Sequence, residues 1–395
     1  MTGSMPSRQL LARARDFLAS VPLIDAHNDL PYVVRHSAAA GDLAAYDLTA
    51  AHQETDTDIP RLRKGQLAGQ FWAAFVPSNV ADPCRYTLDQ IALIRRMNAR
   101  HADTFLGATR ASHLGAAKRA GRIASYISVE SSIGLNGSLE PLELWYALGV
   151  RYLTLCHNET LDWVDSATDA PRHGGLAPFG RQVVAECNRL GILVDVAHTA
   201  HQAQMQVLEC TSAPIAMTHA NAFSLVDHPR NAADAFLDGL KANGGIICAT
   251  FVQTFSSQAT RDWVKAISDR YGKPPPGDMK AGLAARESAA GPCPRATLAQ
   301  VCDHIEYMAN RAGLAHVGIG SDYYGSRNPD GLEDVGTFPN LFAELMLRGW
   351  SDGALARIAS GNFLRVLRAV ESHARAARPQ PALASRRRLV STNSV

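Results

Sequence analysis

Short apolar runs recur along the chain, and most of them end in a histidine or a carboxylate. Clear examples are residues 21–29, 192–198, 215–219 and 317–322, which end in His27 and Asp29, His198, His219 and Asp322. A continuous aliphatic run of four to eight residues is typical of a buried parallel strand. Such segments occur at approximately 21–27, 70–76, 123–130, 151–157, 192–198, 214–219, 244–251 and 316–322. Ligand-type residues at the carboxyl ends of several strands are typical of a (β/α)8 barrel.

Helix-like stretches lie between most of these segments. Apolar residues recur at helical spacing over 88–99, 139–148, 180–190 and 232–242. Pro141 near the start of the second stretch and Gly191 after the third are typical helix start and stop signals. The alternation predicts an α/β fold, a TIM barrel with its site at the carboxyl ends of the strands. A doubly wound open sheet is the alternative.

The domain organisation follows from the same pattern. We expect an N-terminal helical lead-in at 1–20 and one barrel over 21–375. Residues 255–296 contain two proline-rich stretches and predict a partly helical insertion between the seventh and eighth strands. The tail at 376–395 carries arginines and prolines with little apolar surface, and we expect it to be disordered.

Composition narrows the class of protein. The 395 residues are 46% hydrophobic and 19% charged, which is ordinary for a globular protein with a large core. A formal net charge of +2 gives no argument for nucleic acid or an anionic membrane surface. We expect no transmembrane segment and no secretory signal, because the apolar runs are short and interrupted. Seven cysteines without a Cys-x-x-Cys pair favour a reducing compartment, and we expect the cytoplasm.

The strand ends supply a set of metal ligands. His27 and Asp29 are two residues apart in an extended segment, so both side chains can face one ion. Taken alone, this pair also fits a capped strand end with a hydrogen-bonded histidine. Glu130, His198 and His219 end three further strands and complete the ligands expected of a hydrolytic zinc site. Because a carboxylate has two oxygens, a shared Glu130 allows two zinc ions per chain.

Three further residues are predicted to act on a substrate. Asp322 is an acidic residue at the barrel mouth that is not needed as a ligand, so it is available as general base. His157 ends the fourth predicted strand and points into the same mouth, unless it is a hydrogen-bonded core histidine. Arg230 follows the sixth strand and suits a substrate carboxylate, although an isolated arginine is usually just solvated.

Over roughly residues 21–370 the chain resembles the membrane (renal) dipeptidases, zinc metallopeptidases of the amidohydrolase superfamily. The resemblance rests on ordered blocks at 25–31, 129–130, 149–158, 194–198, 218–219, 227–231, 316–322 and 361–366. It implies hydrolysis of dipeptides with a free C-terminal carboxylate by a metal-activated bridging water. The resemblance implies that His27 and Asp29 bind the first zinc, that His198 and His219 bind the second, and that Glu130 bridges the two. It also implies that Asp322 acts on the bridging water and that His157 contacts the scissile carbonyl or its oxyanion. Arg230 is then implied to bind the terminal carboxylate of the dipeptide.

Two segments depart from the family pattern. Relatives usually have Gly-Gly after the bridging glutamate and Phe-Asp-Gly after the base aspartate, but here these are Ser131-Ser132 and Tyr323-Tyr324-Gly325. We expect the departures to alter substrate preference rather than abolish hydrolysis. Two other functions stay open, namely hydrolysis of another amide such as a β-lactam, and metal binding without catalysis. The resemblance also suggests a homodimer.

Overall fold

A computed structural model describes residues 6–52, 55–272 and 279–377, without the side chains of 279–284. The strands in these ranges are β1 (Leu23–Asn28), β2 (Leu67–Phe75), β3 (Phe105–Gly107), β4 (Ile123–Glu130), β5 (Val150–Thr154), β6 (Leu193–Asp195), β7 (Ala216–Met217), β8 (Ile246–Ala249) and β9 (Val317–Ile319). Eight of them follow the order β1-β2-β4-β5-β6-β7-β8-β9, and all pairings are parallel. The predicted barrel is confirmed, and the doubly wound alternative is wrong.

Short backbone contacts join the first strand to the segment after the last one. The Asp322 N–H donates to the His27 carbonyl at 3.2 Å, and the Asp29 N–H donates to the Tyr323 carbonyl at 3.4 Å. These bonds nearly close the barrel at its carboxyl end. Three predicted site residues therefore lie on the seam where the barrel meets itself.

Helices connect and surround the strands. They are α1 (Arg8–Ser20), α2 (Leu30–His36), α3 (Ile59–Lys64), α4 (Pro83–Arg100), α5 (Ser112–Arg119), α6 (Glu140–Leu148), α7 (Pro178–Leu190), α8 (His201–Cys210), α9 (Asp234–Asn243), α10 (Gln253–Ser256), α11 (Gln258–Tyr271), α12 (Met279–Ala290), α13 (Leu298–Ala312), α14 (Phe338–Leu347), α15 (Asp352–Ala356) and α16 (Asn362–Ala377). The four stretches with helical spacing correspond to α4, α6, α7 and α9. Gly191 ends α7 at φ +89°, a left-handed conformation that glycine adopts without a steric cost.

The strands differ from the sequence prediction in number and length. Strand β3 was not predicted, because three residues are too few to show a periodic pattern. Strands β6, β7 and β9 are shorter than their apolar runs, since the backbone leaves the ladder before it reaches the histidine or aspartate at the end of each run. The apolar runs thus correctly located the strands but overestimated the length of the ladders.

The long connection between β8 and β9 contains helices α10 to α13. Helices α11 and α12 fall within the predicted insertion, whereas its first proline-rich stretch, 273–278, lies outside the described residues. The predicted disordered tail also lies outside them from residue 378 onward. Among the described residues, no helix is both long and apolar enough to cross a membrane. The cytoplasmic location and the homodimer stay predictions.

Candidate metal centre

The predicted metal ligands meet at the carboxyl ends of the barrel strands. His27 lies in β1 and Glu130 is the last residue of β4, while Asp29, His198 and His219 lie one to three residues beyond β1, β6 and β7. All but Asp29 are buried. We call these five side chains the metal cluster.

Glu130 lies at the middle of the metal cluster. Its Oε1 is 3.1 Å from His198 Nε2 and 3.7 Å from His219 Nε2, whereas its Oε2 is 3.5 Å from His27 Nε2. Asp29 Oδ2 also lies 3.5 Å from His27 Nε2. The glutamate therefore presents one oxygen to each of two ligand groups.

Several ligand atoms of the cluster lack a partner. His27 Nε2, His219 Nε2 and Asp29 Oδ1 are buried and make no hydrogen bond within the described part of the chain. An unpaired buried polar atom costs about 1–3 kcal/mol, so such atoms call for a ligand. One ligand atom each from His27, Glu130 and His219 lies within 4.8 Å of the others, a spacing that fits a shared metal ion. The residues fit a metal cofactor.

Hydrogen bonds fix which nitrogen of His27 and His198 faces the cluster. The Tyr152 hydroxyl donates to the Ala26 carbonyl at 2.9 Å, so it accepts from His27 Nδ1–H at 2.9 Å. The Asn158 side-chain oxygen, an acceptor, lies 3.2 Å from His198 Nδ1. In both rings Nδ1 carries a proton, so Nε2 is the nitrogen that would bind a metal.

Burial sets the charge of most of the imidazoles. It lowers the pKa of His198 and of His219 well below the usual value, and it lowers the pKa of His157 to about 4. For His27 burial acts in the same direction, but Tyr152 and the Glu130 carboxylate outweigh it and raise the pKa. Metal binding would therefore displace a proton from His27, while the other imidazoles are already neutral ligands or donors.

Asp322 follows β9 by three residues and reaches the cluster from the barrel seam. Its Oδ1 is 3.9 Å from His27 Nε2, and burial raises the pKa of its carboxyl well above the usual range.

The backbone is left-handed at Asp322 (φ +61°) and at His198 (φ +70°), a conformation that non-glycine residues rarely adopt. A Cβ at position 325 would lie 2.6 Å from Asp322 Oδ1, so Gly325 leaves room for the carboxylate. The site thus stores backbone strain at two of its residues.

A cavity of about 690 Å³ opens above the cluster and is lined by Asp322, His157 and Arg230 together with cluster residues. The His157 ring lies 4.3 Å from that of His198. The Arg230 side chain is buried, and its Nε and Nη1 have no hydrogen-bond partner among the described residues. A buried guanidinium without a bound anion is costly, so its place in the cavity suits an anionic substrate group.

Apolar residues also line the cavity, and the sequence analysis did not predict them. Val252, Phe255, Trp263 and Val264, which we call the apolar wall, belong to α10, α11 and the residue before them. Phe255 also lies against Arg230, with 5.3 Å between the guanidinium carbon and the ring centroid. The signal available in the sequence was an aromatic residue within the predicted insertion, which by itself does not show the direction in which the ring faces.

The residues that depart from the family pattern make hydrogen bonds to other segments of the barrel. The Ser132 hydroxyl donates to the Leu155 carbonyl at 2.5 Å and accepts from the Trp163 indole at 2.9 Å. The Tyr323 hydroxyl donates to the Asp334 carbonyl at 2.7 Å. An altered substrate preference from these residues stays a prediction.

A parallel barrel with buried histidines and carboxylates at its carboxyl ends defines the class of metal-dependent hydrolases. Comparison with known proteins narrows this class. The model of the membrane dipeptidase family, peptidase family M19, matches residues 11–381. The chain belongs to this family and is a metallodipeptidase.

Individual relatives agree with the family model. Dipeptidase verJ of Clonostachys rogersoniana is 36% identical over 377 residues, covering 91% of this chain and 87% of the relative. Dipeptidase 3 of Rattus norvegicus is 35% identical over 373 residues, covering 92% and 67%. The crystal structure of the probable dipeptidase PvdM from Pseudomonas aeruginosa superposes with a TM-score of 0.81 at 25% identity, covering 93% of this chain and 99% of that one.

Proposed function

We propose that the protein is a zinc-dependent dipeptidase with two zinc ions bridged by Glu130. One observation carries the binuclear assignment, namely that Oε1 of Glu130 faces His198 and His219 while Oε2 faces His27. His27 and Asp29 would hold one ion, and His198 and His219 the other. Imidazole and carboxylate ligands match what zinc prefers in hydrolytic sites.

When bound, zinc ions held by these ligands would supply Lewis-acid chemistry, which acidifies a water and polarises the scissile carbonyl. Asp322 accepts the proton of the attacking water and then passes it to the leaving amine. Neutral His157 donates its N–H to the oxygen of the carbonyl as negative charge develops there. The left-handed backbone at Asp322 and the space left by Gly325 keep the carboxylate pointing at the reacting atoms.

Arg230 binds the C-terminal carboxylate of the dipeptide. Its buried guanidinium has two unpaired nitrogens in the cavity above the metal cluster, and a carboxylate can accept from both of them. Its burial places this contact inside the cavity, so a substrate must bring a free carboxylate to it. Short peptides with a free C-terminus are therefore the proposed substrates.

The apolar wall contacts the side chain of the substrate's C-terminal residue. Phe255 lies beside Arg230, so the group next to the bound carboxylate meets this ring first. Trp263 and Val264 extend the same surface along α11. Burial of apolar surface contributes about 25 cal/mol per Å², so leucine or phenylalanine at this position is favoured over glycine.

The binuclear proposal is tested by metal analysis and hydrolysis together. We expect about two zinc ions per chain in dialysed protein, loss of alanyl-leucine hydrolysis on chelation, and its return when zinc is added. Glu130→Gln keeps the size of the side chain but weakens one ligand of each ion, so the zinc content falls for both sites. One zinc ion per chain in the parent protein, with full activity, would contradict the bridging role.

A further inference from the structure

Asp195 is a fully buried carboxylate at the end of β6 and does not line the cavity. Its Oδ1 accepts from the backbone N–H groups of Thr218 (2.9 Å) and Ala197 (3.1 Å). Its Oδ2 accepts from the hydroxyls of Thr154 (2.6 Å) and Thr218 (2.7 Å). Four donors converge on the carboxylate, so both of its oxygens act only as acceptors.

These contacts fix the direction of the next hydrogen bond. A threonine hydroxyl has one hydrogen, and that of Thr218 goes to Asp195 Oδ2. The contact of 3.0 Å between Thr218 Oγ1 and His219 Nδ1 then requires the proton to be on Nδ1. His219 Nε2 is left with a free lone pair, and this is the unpaired atom that lies 3.7 Å from Glu130 Oε1.

We propose that Asp195 is a positioning residue for the metal centre, which acts through the Thr218 hydroxyl to hold His219 in its metal-binding tautomer. The inference rests on the proposed role of His219 as a zinc ligand. Tyr152 and Asn158 accept from Nδ1 of His27 and His198 in the same way. Among these three described histidines, His219 is the one whose acceptor depends on a buried charge for its direction.

A second buried aspartate shows what distinguishes Asp195. Asp25 also accepts several hydrogen bonds, among them the Ser321 N–H (2.7 Å), the Ser321 hydroxyl (2.6 Å) and the Gln70 amide (3.0 Å). None of these donors continues to a ring nitrogen of His27. Asp25 thus holds the backbone of the barrel seam, whereas Asp195 also sets the position of a proton.

Substitution of Asp195 by asparagine reverses the direction of the hydrogen bonds that link residue 195 through Thr218 to His219. The two backbone N–H groups need an acceptor, so the amide oxygen faces them and the amide NH₂ faces the hydroxyls. Thr218 then accepts from the amide and donates its own hydrogen to His219 Nδ1. The ring proton moves to Nε2, where it occupies the metal-binding position.

Thr218→Val removes the hydroxyl that links Asp195 to His219 while leaving Asp195 in place. The valine methyl offers no acceptor to Nδ1–H, so the proton is favoured on Nε2, near Glu130. Thr154→Val is the matched control because its hydroxyl bonds the same carboxylate oxygen from an equally buried position but is not connected to His219. Both valine variants remove one hydrogen bond to Asp195, so their losses of thermal stability should be similar.

The experiment measures the His219 tautomer by nitrogen-15 NMR of the metal-free protein and zinc affinity by competition with a chelator. We expect Asp195→Asn and Thr218→Val to place the proton on Nε2 and to weaken zinc binding about 10–100-fold. Thr154→Val should keep the parent tautomer and affinity. Equal loss of affinity in the two valine variants, or an unchanged tautomer in Thr218→Val, would overturn the proposal. Neither result depends on substrate hydrolysis, so the outcome is separate from that of the dipeptidase assays.

Discussion

The metal cluster and the apolar wall face the same cavity but are held in different ways. The cluster residues lie in or just after barrel strands, and hydrogen bonds to Tyr152 in β5 and to Asn158 beyond it orient the rings of His27 and His198. The wall lies on the connection between β8 and β9, and hydrogen bonds to other segments hold the backbone that carries it. One is donated by the Asn231 amide to the Phe255 carbonyl (3.0 Å), and another by the Thr260 hydroxyl to the Pro294 carbonyl (2.8 Å).

Under the proposed function, this difference separates reaction from selectivity. Side chains on the strand ends would act on groups that every dipeptide shares, namely the amide, its carbonyl oxygen and the water. Side chains on the wall would contact the part of the substrate that varies. Changes in the cluster should therefore reduce turnover of all dipeptides alike, whereas changes in the wall should alter their ranking.

Asp322→Asn tests the cluster side of the comparison and should have the largest effect. The amide matches the carboxylate in size but cannot accept the proton, and general acid–base help is worth roughly 10²–10⁴-fold. We expect a loss of kcat in that range for both alanyl-glycine and alanyl-leucine, with zinc content unchanged. The measurement is steady-state kinetics with elemental analysis of the same preparation. Turnover within a few-fold of the parent, with zinc retained, would remove Asp322 from the mechanism.

The positions of the metal cluster could be predicted because its ligands follow apolar runs directly. A buried parallel strand is recognisable from its aliphatic residues, and the carboxyl ends of such strands meet at one edge. His27, Glu130 and His219 therefore came together as the pattern indicated. The left-handed backbone at His198 and Asp322 was not predictable, since neither residue type by itself demands a positive φ.

The supporting contacts could not be predicted for a different reason. Tyr152 and His27 are 125 residues apart, and their hydrogen bond depends on how the strands are arranged around the barrel. Trp263 lies in an amphipathic helix whose pattern shows one apolar face but not what that face meets. The sequence thus predicted which residues meet at the carboxyl ends of the strands, while tertiary packing decides what orients them and what lines the cavity.

Arg230→Met tests the proposed binding of the substrate carboxylate by Arg230, which lies between the metal cluster and the apolar wall. Loss of a charge-assisted hydrogen bond costs about 1.5–3 kcal/mol, so kcat/KM for a free dipeptide should fall roughly 10–100-fold. The corresponding dipeptide amide has no carboxylate and should already be a poor substrate for the parent, so the substitution should affect it much less. Kinetics of both substrates on both proteins give the answer. Equal losses would show that Arg230 supports the fold or the metal site instead of binding the substrate carboxylate.

Trp263→Ala tests the wall and should have the smallest effect on turnover as a whole. The indole is half-buried on α11 and lines the cavity beside Phe255, so its removal takes away apolar contact with a large C-terminal side chain. Discrimination by apolar contacts of this kind is worth about 1–3 kcal/mol, and we expect about a tenfold lower kcat/KM for alanyl-leucine. Alanyl-glycine should change less than about threefold, because glycine makes no such contact. Lys265→Ala, which shortens an exposed side chain on the same helix, is the matched control and should leave both values unchanged. The decisive measurement is the ratio of the two kcat/KM values, because partial unfolding would lower kcat/KM for both substrates together. A parallel fall in both values would mean that Trp263 supports α11 and does not select the substrate.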